Sequence, residues 1–145
     1  MADGIPVINE FLSELRNQGA EPELSGESWQ RAGAVCLVAG LGHVMIVATD
    51  ANPGQWSLAG ADVQRLQQLA ADDGVPCWFV LLISRRDGRG ANGYVLKDLV
   101  SSPLKRPLEL DGETYDVREK RHLDSLRLLL STEKIADVLL RQRHG

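Results

Sequence analysis

Three observations in the 145-residue chain predict a mixed α/β (α+β) domain, with a central sheet flanked by helices. Residues 33–39 and 42–49 are two almost continuously apolar runs separated by Gly40 and Leu41, the pattern of a hairpin covered on both faces. Residues 59–73 repeat apolar positions at helical spacing. Residues 76–83, PCWFVLLI, then form a further apolar run that reads as a buried strand.

The remaining elements follow in order. Over residues 6–18, Ile8, Phe11, Leu12 and Leu15 recur at helical spacing, Pro6 suits the first turn, and Gly19 ends the pattern. Residues 20–31 are largely polar, with Ser25-Gly26 as a turn and Trp29 placed to pack at the start of the next element. Asn52-Pro53-Gly54 is a strong turn signal. In the 59–73 helix, Val63, Leu66, Leu69 and Ala70 line one face, Arg65, Gln67, Gln68 and Asp72 fall away from it, and Gly74 terminates it. Pro76 fits the start of a strand. SRRDGRGANG reads as a loop, and YVLKDLV as the last strand of a hairpin. Pro103 and Pro107 bracket a connector, and residues 108–117 add a weak edge strand with a turn at Asp111-Gly112. A helix over 119–130 carries Leu123, Leu126 and Leu130. Ser131 or Thr132 caps a final helix with Ile135, Val138 and Leu139 as its stripe.

Length favours one domain spanning 1–145. Hydrophobic residues make up 43% and aromatics only 5%, so aliphatic packing must build the core. No run approaches a membrane span and no signal peptide is visible, so the expectation is a cytoplasmic protein without membrane contact. Cys36 and Cys77 each lie in an apolar run and form no CxxC pair, which favours buried free thiols. His43, His122 and His144 have no zinc spacing with them. No GxGxxG follows a strand and no GxxxxGK[ST] loop occurs, so dinucleotide and P-loop chemistry lack support. Ser101 and Ser102 have no base nearby in sequence.

The net charge of −4 is unevenly spread. Residues 1–50 hold seven acids and two bases, whereas residues 84–106 hold Arg85, Arg86, Arg89, Lys97, Lys105 and Arg106 against Asp87 and Asp98. Overall acidity opposes strong nonspecific binding of nucleic acid, while the local basic stretch leaves a basic face or simply solvated loops.

Residues 46–99 resemble the corresponding part of bacterial Holliday-junction resolvases of the restriction-endonuclease-like (PD-(D/E)XK) superfamily. IVATD stands where the metal-binding strand would be, WSLAGADVQRLQQLAADDG matches the helical part, VPCWFVLLI the next strand and GYVLKDLV the last. The resemblance implies a restriction-endonuclease-like central mixed sheet flanked by helices. It covers about a third of the chain closely and the rest only in element order. Those enzymes place Glu-x-Lys at the end of a central strand, and here Val47 occupies the acid's position and Thr49 the lysine's. Asp50 is one residue beyond and faces away from Thr49 for as long as the strand continues. The hairpin AVCLVAGLGHVMIV has no carboxylate for a second ligand. The family's chemistry needs carboxylates to hold Mg²⁺, which polarises the phosphate and activates water, and a lysine to stabilise developing charge. Valine and threonine supply neither.

Three functions stay open on this reading. The first is a catalytically inactive nuclease-fold protein, binding nucleic acid or a protein partner in DNA processing or defence, with no metal or other cofactor. Its candidate contacts are Arg85, Arg86, Arg89, Lys97, Lys105 and Arg106. The second is a divergent Mg-dependent endonuclease or junction resolvase using Asp50 with Glu10, Glu14 or another migrated carboxylate. The third is a protein-interaction module, in which the C-terminal helices, widened by Leu128 and Leu129, support a homodimer. Trp78 reads as core. Trp56, after a turn, reads as more accessible, either a stacking platform or a staple for the next helix.

Overall fold

A computed structural model describes residues 5–26, 28–85, 90–97 and 110–143. Helix α1 (Ile5–Asn17) leads into a short strand β1 (Glu23–Leu24), then β2 (Ala34–Val38) and β3 (Gly42–Thr49). Strand β4 (Gln55–Ala59) and helix α2 (Gly60–Asp73) precede β5 (Cys77–Ser84) and β6 (Ala91–Leu96). The chain ends with β7 (Leu110–Asp111), β8 (Thr114–Arg118), a single turn α3 (Glu119–His122) and α4 (Thr132–Leu140).

The main sheet has the order β1-β2-β3-β5-β6. The two apolar runs pair as a hairpin, with Ala34 opposite Ile46 and Val38 opposite Gly42. β3 and β5 are parallel neighbours, from His43 beside Cys77 to Thr49 beside Ile83, joined by the β4–α2 crossover. β6 returns antiparallel to β5, with Phe79 opposite Leu96 and Ser84 opposite Ala91.

The central strands β3 and β5 are mostly apolar because both faces of the sheet are covered there. Val44, Ile46, Val80 and Leu82 point to one side and pack with Val7, Phe11 and Leu15 of α1 and Ile135, Ala136 and Leu139 of α4. Met45, Val47, Phe79, Leu81 and Ile83 point to the other and meet Val63 and Leu66 of α2 together with Trp56, Leu58 and Val117. The last three belong to a second sheet of order β4-β8-β7, in which Trp56 lies opposite Val117. Asp62, a buried acid on α2, accepts from the backbone amides of Gln30, Arg31 and Ala32 at 2.8, 2.8 and 3.1 Å and so ties the polar 20–31 connector to the helix.

Four expectations change. The 119–130 helix ends at His122, because Leu129 and Gly93 exchange backbone hydrogen bonds of 2.9 Å in both directions and draw the following segment alongside β6. β6 begins at Ala91, inside the stretch expected to be a loop, since Ala91 and Asn92 find partners in Ser84 and Ile83. Residues 55–59 form a strand in a second sheet, their alternation of exposed Gln55 and Ser57 with buried Trp56 and Leu58 matching a pleat. Trp56 is buried rather than accessible, and its indole Nε1 donates to the Leu82 carbonyl at 3.0 Å. Trp78 is core as expected, donating to the Leu41 carbonyl at 3.2 Å. Neither cysteine is in a disulfide; Cys36 is buried, which pushes its thiol up to about 12, whereas Cys77 at the start of β5 is only half-buried, short of the burial expected of it.

Candidate functional site

β3 and β5 end at the same edge of the sheet, and β6 starts there. Carboxyl ends of neighbouring parallel strands are where open α/β sheets form ligand crevices. Here they open into a cleft of about 400 Å³ lined by Asp50, Asn52, Ile83, Ser84, Arg85 and Asn92. A second cavity of about 530 Å³ shares Asn52 with it and is lined further by Pro53, Tyr94, Glu119, Lys120 and Asp124.

The segment between β3 and β4 forms the shared wall and is fixed by one residue. The backbone N–H of Glu119 donates to the Gly54 carbonyl at 2.9 Å, and the Gly54 N–H donates to Glu119 Oε1 at 2.8 Å. The other carboxylate oxygen accepts from the Tyr94 hydroxyl on β6. Burial, followed by this hydrogen bond and the negative charge of Glu119, raises the Tyr94 phenol above its ordinary range, so it stays a donor. Sequence reasoning missed this tie: residues 54, 94 and 119 share no local pattern, and only the two sheets bring them together.

The positions that matter for metal chemistry do not fit a metal ion. Val47 is buried in the α2-side core with Met45, Leu81 and Trp56. Thr49, the last residue of β3, turns its Oγ1 back to accept from the Ala51 N–H at 3.2 Å. β3 stops there, so Asp50 begins the connecting segment and sits exposed at the mouth of the cleft. Glu10 is exposed on α1 with its Oε1 close to Gly90, at this end of the sheet, while Glu14 is half-buried one helical turn farther on. Among the described residues, no three of His, Cys, Asp and Glu gather in a metal-binding group, so Asp50, Glu10 and Glu14 do not assemble into one.

Of the six basic residues marked by the sequence, Arg85 and Lys97 lie among the described residues. Arg85 forms part of the cleft wall, donating from Nε and a terminal nitrogen to Asn92 Oδ1 at 3.4 and 3.3 Å and to the Leu130 carbonyl. Lys97 is exposed just past the far end of β6, about 17 Å from Asn92 at the usual rise per strand residue. These two do not share a patch. Arg86, Arg89, Lys105 and Arg106 lie outside the described residues. Away from the cleft, His43 Nε2 contacts Asp73 Oδ2 at 2.6 Å, joining the start of β3 to the end of α2. No helix among the described residues is long and apolar enough to cross a membrane.

No protein-family model and no curated protein matches the chain. Among solved structures it is similar to Hjc of Archaeoglobus fulgidus, a Holliday junction resolvase from an archaeal hyperthermophile. That likeness has a TM-score of 0.50 at 14% identity and covers 88% of this chain and 98% of that one. At this identity it is the fold that is shared: a central mixed sheet flanked by helices, in a restriction-endonuclease-like arrangement.

Proposed function

We propose that the chain is a nuclease-fold protein that binds nucleic acid, or serves a DNA-processing or defence complex as an accessory, without metal-dependent cleavage of its own. The observation that carries this reading is the burial of Val47 in an apolar core at the position where the resembled enzymes hold a metal-binding acid. An apolar side chain packed there leaves no hard oxygen ligand at the strand end, and Thr49 spends its hydroxyl on the backbone. Nucleic-acid contact is assigned to Arg85 together with Arg86 and Arg89, with Lys97, Lys105 and Arg106 as outlying contacts. Guanidinium groups suit phosphates because their donors form a planar fork.

The test is binding and cleavage measured side by side on branched, duplex and single-stranded DNA, with Mg²⁺, with Mn²⁺ and with chelator. The expected result is binding that does not depend on the metal, no cleavage at protein concentrations that saturate the DNA, and loss of binding when Arg85, Arg86 and Arg89 are replaced together by alanine. Metal-dependent cleavage abolished by Asp50→Asn or Glu10→Gln would instead establish the divergent endonuclease. Absence of binding to every DNA would leave the protein-interaction module.

A further inference from the structure

The main sheet ends at β1 on one side, and no described strand lies beyond it. β1 pairs antiparallel with β2, Glu23 opposite Leu37 and Leu24 opposite Cys36, and the Ser25 N–H donates to the Val35 carbonyl at 2.8 Å. Facing pairs in such a ladder alternate between hydrogen-bonded and non-hydrogen-bonded. Ser25 and Glu23 therefore turn their backbone groups toward β2, and Leu24 turns its N–H and C=O outward, to the open edge. The Leu24 side chain is 52% exposed, one of two large apolar side chains so exposed among the described residues. An edge with free backbone groups is a template for another extended chain.

Beside this edge lies a groove of about 250 Å³. The sheet contributes Val35, Leu37 and His43 to it, and α2 contributes Leu69. The volume falls below that of whole small-molecule sites and suits one side chain. Glu23 shares the groove face with its partner Leu37, while the Leu24 side chain points to the other face. A strand added along β1 thus sets one side chain in the groove and the next beside Leu24. Pro22 has no N–H and β1 has two residues, so backbone pairing is confined to a short stretch. Selectivity must come from the groove.

The charge around the groove has one sign. Glu23 lines it, and among the described residues no Lys or Arg does. Glu21 is exposed two residues before Glu23, and the exposed Asp73 is held against His43 Nε2 at 2.6 Å. Such a rim repels phosphate and attracts Lys and Arg. We infer that the β1 edge and this groove dock an extended segment of a protein partner. An apolar side chain of that segment fills the groove, and basic residues on either side of it face Glu21, Glu23 and Asp73. This surface goes beyond the DNA contact assigned to Arg85. His43 and Thr49 lie at opposite ends of β3, so groove and cleft are about 20 Å apart at the usual rise per strand residue.

The test uses the full-length protein and three short labelled peptides: KKVLVKK, its twin with every lysine replaced by glutamate, and its twin with the central leucine replaced by proline. Binding is followed by anisotropy, and hydrogen exchange at the Leu24 amide is followed by NMR. The basic peptide is expected to bind about tenfold more tightly than either twin and to slow exchange at Leu24. Glu23→Lys, at an exposed position, is expected to reverse the preference between basic and acidic peptides, and Leu69→Gln to weaken the basic peptide. Equal binding of the three peptides, or no binding by any, overturns the docking surface. Binding that leaves Leu24 exchange unchanged, or that Glu23→Lys does not alter, places the peptide elsewhere and overturns it too. Slow Leu24 exchange without peptide, increasing with protein concentration, makes a second copy the occupant and overturns the partner segment. Duplex DNA is expected not to displace the peptide; displacement would put nucleic acid on the groove and overturn the inference. DNA binding is scored separately, so its failure removes the reading based on Arg85 and leaves this surface standing.

Discussion

At the scale of single residues, burial decides which polar groups act as structure. Glu119 spends both carboxylate oxygens on Gly54 and Tyr94, and Asp62 gathers three backbone amides. Each satisfies donors that would otherwise be stranded in partly buried loops. Neither acid was marked by the sequence, because its partners lie 25 to 65 residues away for Glu119 and 30 to 32 for Asp62. His122 shows the same principle with a titratable ring. It is buried, and its Nδ1 accepts from the Arg118 N–H at 3.0 Å, which requires that nitrogen to be unprotonated. Burial, then the nearby Arg121, lowers its affinity for a proton. The unfolded chain takes up a proton here below about pH 6.5 while the folded chain resists, so this residue's contribution is present above that pH and is lost as pH falls. Urea unfolding is expected to show stability falling between pH 7.5 and 5.5 by at most about 1.4 kcal/mol per pH unit from this group. His122→Asn, which keeps an acceptor and cannot titrate, is expected to flatten that limb; an identical slope in the variant would assign it to other groups.

At the scale of elements, the strands and the amphipathic helices were legible and their lateral connections were not. The hairpin 33–49, α2, β5 and α4 follow from apolar periodicity, and the Ser131 cap appears as expected, its Oγ accepting from the Lys134 N–H at 3.0 Å. The 119–130 segment has helical leucine spacing yet leaves the helix after one turn. Its leucines divide between the two cores: Leu126 and Leu128 pack with the α2 side, Leu129 with the α1–α4 side, and Leu130 is exposed. Gly93 makes this possible. A Cβ there would lie inside contact distance of the Leu81 carbonyl and close against Ile135. Gly93→Ala is therefore expected to push β6 from β5 and loosen the Leu129 bridge, costing about 2–3 kcal/mol in unfolding free energy by overpacking. Chemical denaturation checks the cost. A loss under about 0.5 kcal/mol, the range of ordinary surface substitutions, would mean the strands separate freely.

At the scale of the molecule, the balance of charge limits how it can meet a polyanion. The net charge is −4, and of the described bases in the 84–106 stretch only Arg85 lies at the cleft, with Lys97 at the far end of β6. Binding centred on Arg85, Arg86 and Arg89 displaces few counterions. A plot of log affinity against log salt is then expected to have a slope near −3 on duplex DNA and about −2 on a single strand. A much steeper slope would require bases beyond this group to contact phosphate. The same scale explains why the resemblance was readable for fold and not for activity. The sheet demands apolar β3 and β5 wherever both faces are covered, and that demand extends to Val47.

The sequence by itself determined the sheet, the main helices and the absence of acid and lysine at positions 47 and 49, since periodicity and residue identity are local properties. Only the tertiary structure decided that Trp56 is core, that residues 55–59 and 114–118 make a second sheet, and that Asp50, Ser84, Arg85 and Asn92 line one cleft. Those facts depend on register between strands and on which strand ends coincide. Contacts across 26 to 65 residues are set by the packing of the whole chain and leave no periodic trace in it.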